Sequence, residues 1–259
     1  MIKQYGWKPQ LPDFRDMKMG LERAKKPATL PRYVDLRPLM PAIYDQGNLS
    51  SCTACVLSAA VEYQLRMQKY KWIFTPSRLF IYFNEREIEG TVPVDAGANL
   101  RDGIKSINEL GVCPENQLKD FWNWPYDITH FDSEPPLDCY KDALLHKSLK
   151  YESVPPILDF LLPVLAEKLP IACGIVVYTS FESDYACTTG YVPMPSYTET
   201  LLGGHAILLV GYDMDKSMFI FRNSWGITYG QQGYGFIPFS YITNPGLVAD
   251  FWAITLLGQ

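Results

Sequence analysis

The pattern of apolar residues predicts an α+β protein with its helices in the first half and its strands in the second. Two observations carry that expectation. Between residues 51 and 110, apolar side chains recur every three or four positions behind polar capping residues. After a proline-rich stretch (Pro135, Pro136, Pro155, Pro156) and one more helical segment, the pattern shortens into β-branched runs separated by glycine and acidic turns. The change of character places a boundary near residues 135–155.

The first 33 or so residues contain Pro9, Pro12, Pro27 and Pro31 and little periodicity, so an extended strap is expected there. Tyr5, Trp7 and Leu11 suggest that the strap is anchored. A helix is then expected from Ser51 to Lys69, with Ser50 or Ser51 as cap and Cys55, Ala59, Tyr63 and Met67 along one face. A second opens at Ser77 and ends at Gly90. A third opens at Asn99, carries Leu100, Ile104, Ile107 and Leu110 on one face, and stops before Gly111. The expected strands are Ile171–Tyr178, Ala206–Tyr212, Phe219–Phe221 and Tyr234–Pro238.

Composition narrows the function. A net charge of −5, with Arg23, Lys25 and Lys26 as the densest cationic cluster, argues against nucleic acid as the main partner. No apolar run has the length of a signal peptide or of a membrane span, and the best candidate, Ile157–Leu169, is broken by Asp159, Pro163, Glu167 and Lys168. A cytoplasmic location is the default expectation. The six cysteines are irregularly spaced, and no second C-x-x-C or histidine pair accompanies Cys52 and Cys55, so neither a metal site nor a cofactor is expected.

The chemistry starts at Asp45-Gln46-Gly47-Asn48-Leu49-Ser50-Ser51-Cys52, where turn residues lead into a helix. Cys52 falls in the first turn, where unpaired N–H groups and the helix dipole favour a thiolate, the attacking species. That effect is about 1–2 kcal/mol, roughly one pKa unit, too little to ionise a thiol at neutral pH. A histidine partner is therefore required. His130 and His146 lie in polar or proline-rich surroundings and read as surface residues, whereas His205 follows Gly203-Gly204 at the expected start of a strand. Eighteen residues on, Asn223 can accept the second imidazole N–H and hold the ring, with Trp225 shielding that bond. Cys55, one turn after Cys52, reads as structural.

Together these segments resemble the papain and cathepsin family of cysteine peptidases. LPRYVDLR is similar to the start of those enzymes' mature chains, QGNLSSCTAC to their nucleophile segment, and GANLRDGIKSINELGV with WPYD to their cleft glycine, third helix and turn. GGHAILLVGYD and FIFRNSWGITYGQQGYGFIP are similar to their histidine and asparagine segments. The resemblance implies a two-domain fold, a helical left domain (34–140) and a β-barrel-like right domain (141–259) with the cleft between them, behind an N-terminal extension (1–33). It also implies that Gln46 donates to the oxyanion hole beside the Cys52 N–H, that Trp225 covers the His205–Asn223 pair, and that Gly97 admits substrate backbone. Departures are Leu49 where the family usually has a disulfide cysteine, Thr53 where it has tryptophan, and no long helical propeptide. Some shorter bacterial-type members begin with a segment similar to YGWKPQLPDFRD, and the chain resembles those more than animal cathepsins.

The implied activity is hydrolysis of peptides or proteins by a monomer, through a Cys52 acyl-enzyme. Two rivals stand beside it: acyl transfer to an amine in the manner of a transglutaminase, and an inactive binding protein on the same fold. Residues 1–33 are expected to lie across or beside the cleft and reduce access, or else to pack as a stabilising arm.

Overall fold

The computed structural model describes residues 4–11, 13–19 and 30–257. The cluster Arg23, Lys25 and Lys26 lies outside them. Three helices form the first layer: α1 (Cys52–Met67), α2 (Arg78–Glu89) and α3 (Leu100–Glu109). Ser77 caps α2, its Oγ accepting from the Phe80 N–H at 3.1 Å, and Gly90 closes it at φ 69°. At Ser51 and Asn99 the capping positions are as expected, but neither side chain bonds a first-turn amide. Ser51 Oγ meets the Tyr126 hydroxyl at 2.6 Å, and the Asn99 amide donates to Glu89 at 2.9 Å.

Helix α1 is buried from Cys52 to Leu65, because it lies between the other helices and the sheet. Its polar residues are accommodated by specific partners. Tyr44 donates its hydroxyl to Glu62 at 2.8 Å, and Gln64 donates to the Ile254 carbonyl at 2.8 Å. Two short helices follow, α4 (Leu137–Ala143) and α5 (Leu158–Ala166).

The strands are β1 (Tyr33–Asp35), β2 (Ser148–Ser153), β3 (Ile171–Tyr178), β4 (Leu201–Asp213), β5 (Met218–Arg222), β6 (Tyr234–Pro238) and β7 (Val248–Leu257). They form one antiparallel sheet in the order β2-β7-β3-β4-β5-β6, with β1 on β4. The sheet is open, so the right half is barrel-like in its antiparallel pairing and not in closure. Along β4 the side chains alternate between two cores. Ala206, Leu208 and Val210 pack with the α1 layer, whereas Ile207 and Leu209 pack on the far side with α5; past the irregularity between Leu209 and Gly211, Tyr212 joins the far side.

Four local expectations change. His205 lies inside β4, because the strand begins at Leu201. His146 is 3% exposed, its ring among those of Tyr70, Phe74 and Phe121, because the segment after α4 folds back against α3. Leu11 is 87% exposed, so the strap is anchored by Tyr5 and Trp7 and not by Leu11. Strands β1, β2 and β7 were not evident as periodic runs, because their pairing comes from distant partners. Among the described residues no helix is long and apolar enough to cross a membrane.

Candidate active site

The loop that delivers Cys52 is fixed from two directions. Arg78 makes a buried bidentate pair with Glu115 (2.8 Å on both arms), stacks 3.6 Å from the Tyr126 ring, and donates to the Asp45 carbonyl. The Tyr126 hydroxyl donates to the Gln46 carbonyl at 3.0 Å. From the other side, Asp45 bridges Trp225 in antiparallel fashion, and the Gln46 N–H donates to the Ser224 carbonyl at 2.9 Å. The two sequence-distant motifs are thereby joined through their backbones.

Cys52 is the first residue of α1 and is fully buried. Its neighbours include Ala206, the residue after His205. His205 Nε2 lies 2.8 Å from Asn223 Oδ1. The same Oδ1 accepts the Ser224 N–H at 2.8 Å, which identifies it as the carboxamide oxygen. Nε2 therefore carries the proton, and proton exchange with a reacting group falls to Nδ1. The Trp225 ring lies 4.8 Å from that of His205 at 30°. Through these contacts the nucleophile loop, the His205 strand and the Asn223 segment meet, while His130 lies against the Trp124 ring.

The cleft holds the chain's own strap. The Trp7 N–H donates to the Gly204 carbonyl at 3.0 Å, the Ala98 N–H to the Gly6 carbonyl at 2.7 Å, and the Lys8 N–H to the Ala98 carbonyl at 3.1 Å. Residues 6–8 therefore run as an extra strand between the helical layer and β4. Gly97 explains the close approach. It has φ 69°, and a Cβ there would lie 2.0 Å from the Gly6 carbonyl oxygen. The Gln46 side-chain amide donates to the Gln4 carbonyl at 3.2 Å and to the Leu49 carbonyl at 2.9 Å. Ser224 Oγ in turn donates to Gln46 Oε1 at 2.7 Å and orients that amide. The Tyr5 ring stands edge-on to both His205 and Trp225.

Burial under the strap pushes the Cys52 thiol up to about 12, although the Ala206 and Gly6 amides pull the other way by hydrogen bonding to sulfur. In this closed arrangement desolvation outweighs the helix-start effect, and the thiol is protonated at neutral pH. Beyond the sequence reading, the cleft exposes two carboxylates to the strap. Glu182 accepts from the Tyr5 hydroxyl, and Asp250 accepts from the Trp7 indole at 3.0 Å. No motif in the sequence marked either residue.

Thiol chemistry on a peptide carbonyl is the class of reaction that this fold and cleft can host, and comparison with known proteins makes the class specific. The chain belongs to the papain family of cysteine proteases, whose model matches residues 30–241. It superposes on the structure of xylellain, a cysteine protease from Xylella fastidiosa, with TM-score 0.85 and 39% identity over 98% of both chains. It is 34% identical to an uncharacterized peptidase C1-like protein of Acanthamoeba polyphaga mimivirus, over 97% of this chain and 86% of that one. Rat cathepsin S is 26% identical over 83% of this chain and 62% of its own length. The chain is thus a papain-type cysteine protease, closer to the short bacterial type than to the cathepsins.

Proposed function

We propose that the chain hydrolyses peptide bonds through a Cys52 thioester and that residues 1–33 hold it latent. In the open form the Cys52 sulfur attacks the peptide carbonyl, and the developing oxyanion is held by the Gln46 side-chain amide and the Cys52 N–H. The imidazolium of His205 gives its Nδ1 proton to the leaving amine. Water then attacks the thioester with His205 as base, releasing the acid and restoring the thiol. Asn223 keeps the ring in the required tautomer, Trp225 shields that bond, and Gly97 admits the substrate backbone.

The observation that carries this reading is the Gln46–Gln4 contact: the amide assigned to the oxyanion hole already binds a peptide carbonyl. The strap supports latency in the same way, since it uses the cleft's backbone groups at Gly204 and Ala98. On this reading the cleft lies between a mainly helical half, residues 34–140, and a β-rich half, residues 141–259.

The test combines a thiol-alkylating probe with a quenched peptide mixture. Full-length chain with Tyr5→Ala should label at Cys52 and cleave peptides faster than wild type. The Cys52→Ala chain should do neither. Labelling without cleavage of any peptide would sink the peptidase reading, and a wild-type rate in Tyr5→Ala would sink latency.

A further inference from the structure

Two loops of the helical layer meet the strap, and one carboxylate ties them together. The Ser50 N–H, two residues before Cys52, donates to both oxygens of Asp95 at 3.1 Å. Tyr82 of α2 donates its hydroxyl to Asp95 Oδ1, and that hydroxyl accepts the Gly97 N–H at 3.2 Å. A carboxylate only accepts, so every bond in the run from Gly97 through Tyr82 to Asp95 has a fixed direction. Tyr82 and Gly97 are buried, and losing a partner there leaves a polar group unsatisfied.

Helix α2 also fixes the segment that carries Asp95. Arg86, fully buried one turn after Tyr82, donates to the carbonyls of Val92 at 2.6 Å and Val94 at 3.2 Å. Its guanidinium lies 4.0 Å from the Tyr82 ring. Two side chains on one face of α2 thus hold residues 92–97 against the loop that leads into the nucleophile. Both loops present backbone to the strap. The Ala98 N–H donates to the Gly6 carbonyl at 2.7 Å, and the Ser50 carbonyl lies where a Cβ at Gly6 would be. Displacement of either loop by about 1 Å would misplace a bound peptide relative to the sulfur.

We propose that Asp95 and Tyr82 are positioning residues for the reaction. The Asp95 carboxylate sets the Ser50 peptide that leads into Cys52 and, through the Tyr82 hydroxyl, the Gly97 backbone that receives substrate. The proposal rests on the peptidase reading for both roles. Asp95 therefore acts on kcat through Ser50 and on KM through Gly97, whereas the Tyr82 hydroxyl acts on KM alone. A side chain that only stabilised the fold would change how many molecules are active and leave kcat and KM per active site unaltered.

The test uses full-length chains carrying Tyr5→Ala, with rates on a quenched peptide mixture expressed per Cys52 titrated by a thiol-alkylating probe. Adding Tyr82→Phe should raise KM about fivefold and leave kcat within about twofold. Adding Asp95→Ala should raise KM similarly and lower kcat about tenfold. Asp95→Asn should restore most of kcat, since its carboxamide oxygen can accept the Ser50 N–H and its NH₂ can donate to the tyrosine oxygen. In the double variant Tyr82→Phe should add no further rise in KM to that of Asp95→Ala. Unaltered constants per titrated site, or rises in KM that multiply in the double variant, overturn the proposal. Where Asp95→Ala fails to fold, Tyr82→Phe decides, and an unaltered KM overturns it. A second measurement needs no peptidase activity. With the strap otherwise intact, Tyr82→Phe should speed Cys52 alkylation about fivefold, because the Gly97–Ala98 segment seats Gly6. A wild-type alkylation rate there overturns the proposal. A Tyr5→Ala chain that alkylates at Cys52 but cleaves nothing overturns the peptidase reading, while the alkylation comparison still decides the role of Tyr82.

Discussion

The side-chain amide of Gln46 donates to the backbone carbonyl of Gln4 at 3.2 Å, so a residue six before the nucleophile is hydrogen-bonded to the fourth residue of the chain. On the proposed mechanism the strap thereby occupies a group that catalysis needs. Function and latency then draw on the same atoms, and this sets the order in which variants should fail.

Gln46→Ala, made in a strap-loosened full-length chain, should lower kcat by about 10²–10³ with a smaller change in KM. Gln46 also bonds the Leu49 carbonyl and Ser224, so a melting curve and Cys52 alkylation should be measured alongside. Loss of kcat with unchanged alkylation identifies oxyanion stabilisation, whereas parallel loss of both identifies a collapsed loop.

Gly6→Val should open the strap. A Cβ at Gly6 would lie 1.8 Å from the Ser50 carbonyl oxygen, a backbone atom that cannot rotate away. Cys52 alkylation should accelerate about tenfold or more, and retention of the wild-type rate would contradict the seating described for residues 6–8.

The pH dependence of that opening has a definite sign. Burial raises the Cys52 thiol to about 12 in the closed form, so closure favours the protonated state. This contribution to closure is complete below the open-form pKa, which the helix start and His205 hold at or below the ordinary thiol value of about 8.5, and is lost as pH rises from there toward 12. In wild type, opening measured by proteolysis of the strap should increase as pH rises through the alkaline range. The Cys52→Ser chain should not show the increase.

Glu85 offers a stability test beside the nucleophile, since its partner Thr53 follows Cys52 on α1. It is fully buried, accepts from Thr53 Oγ1 at 2.6 Å, and burial raises its carboxyl well above the usual range. The folded state favours the neutral acid, so its stabilising contribution is complete below the unfolded pKa, about 4.3, and declines as pH rises toward the folded value. Glu85→Gln should therefore raise Tm by about 2–4 °C at pH 8 and give little gain at pH 4. A gain of equal size at both pH values would point to packing instead of charge.

Much of the site was legible before the fold. Cys52 behind a turn, His205 after two glycines and Asn223 before Ser224-Trp225 each combine a reactive group with local backbone signals, and such signals survive in one dimension. Ser77 and Gly90 marked α2 for the same reason. The reading failed where the decisive partner was remote. His146 read as a surface residue because nothing in its own segment marks a burial partner, yet Tyr70, Phe74 and Phe121 pack around it. Strand β7 read as nothing in particular because its pairing with β2 and β3 is non-local.

The sequence by itself pointed to Cys52, His205 and Asn223 as the proposed triad and determined the three main helices and the family, because each depends on residue type at short spacing. Only the tertiary structure decided that Trp7 meets Asp250, 243 residues away, and that Tyr5 meets Glu182. Those contacts arise from a bulge in β7 and the path of the strap, and neither leaves a periodic trace along the chain. It also decided the state of Cys52, since a thiol's charge depends on what excludes water from it as well as on the helix it begins.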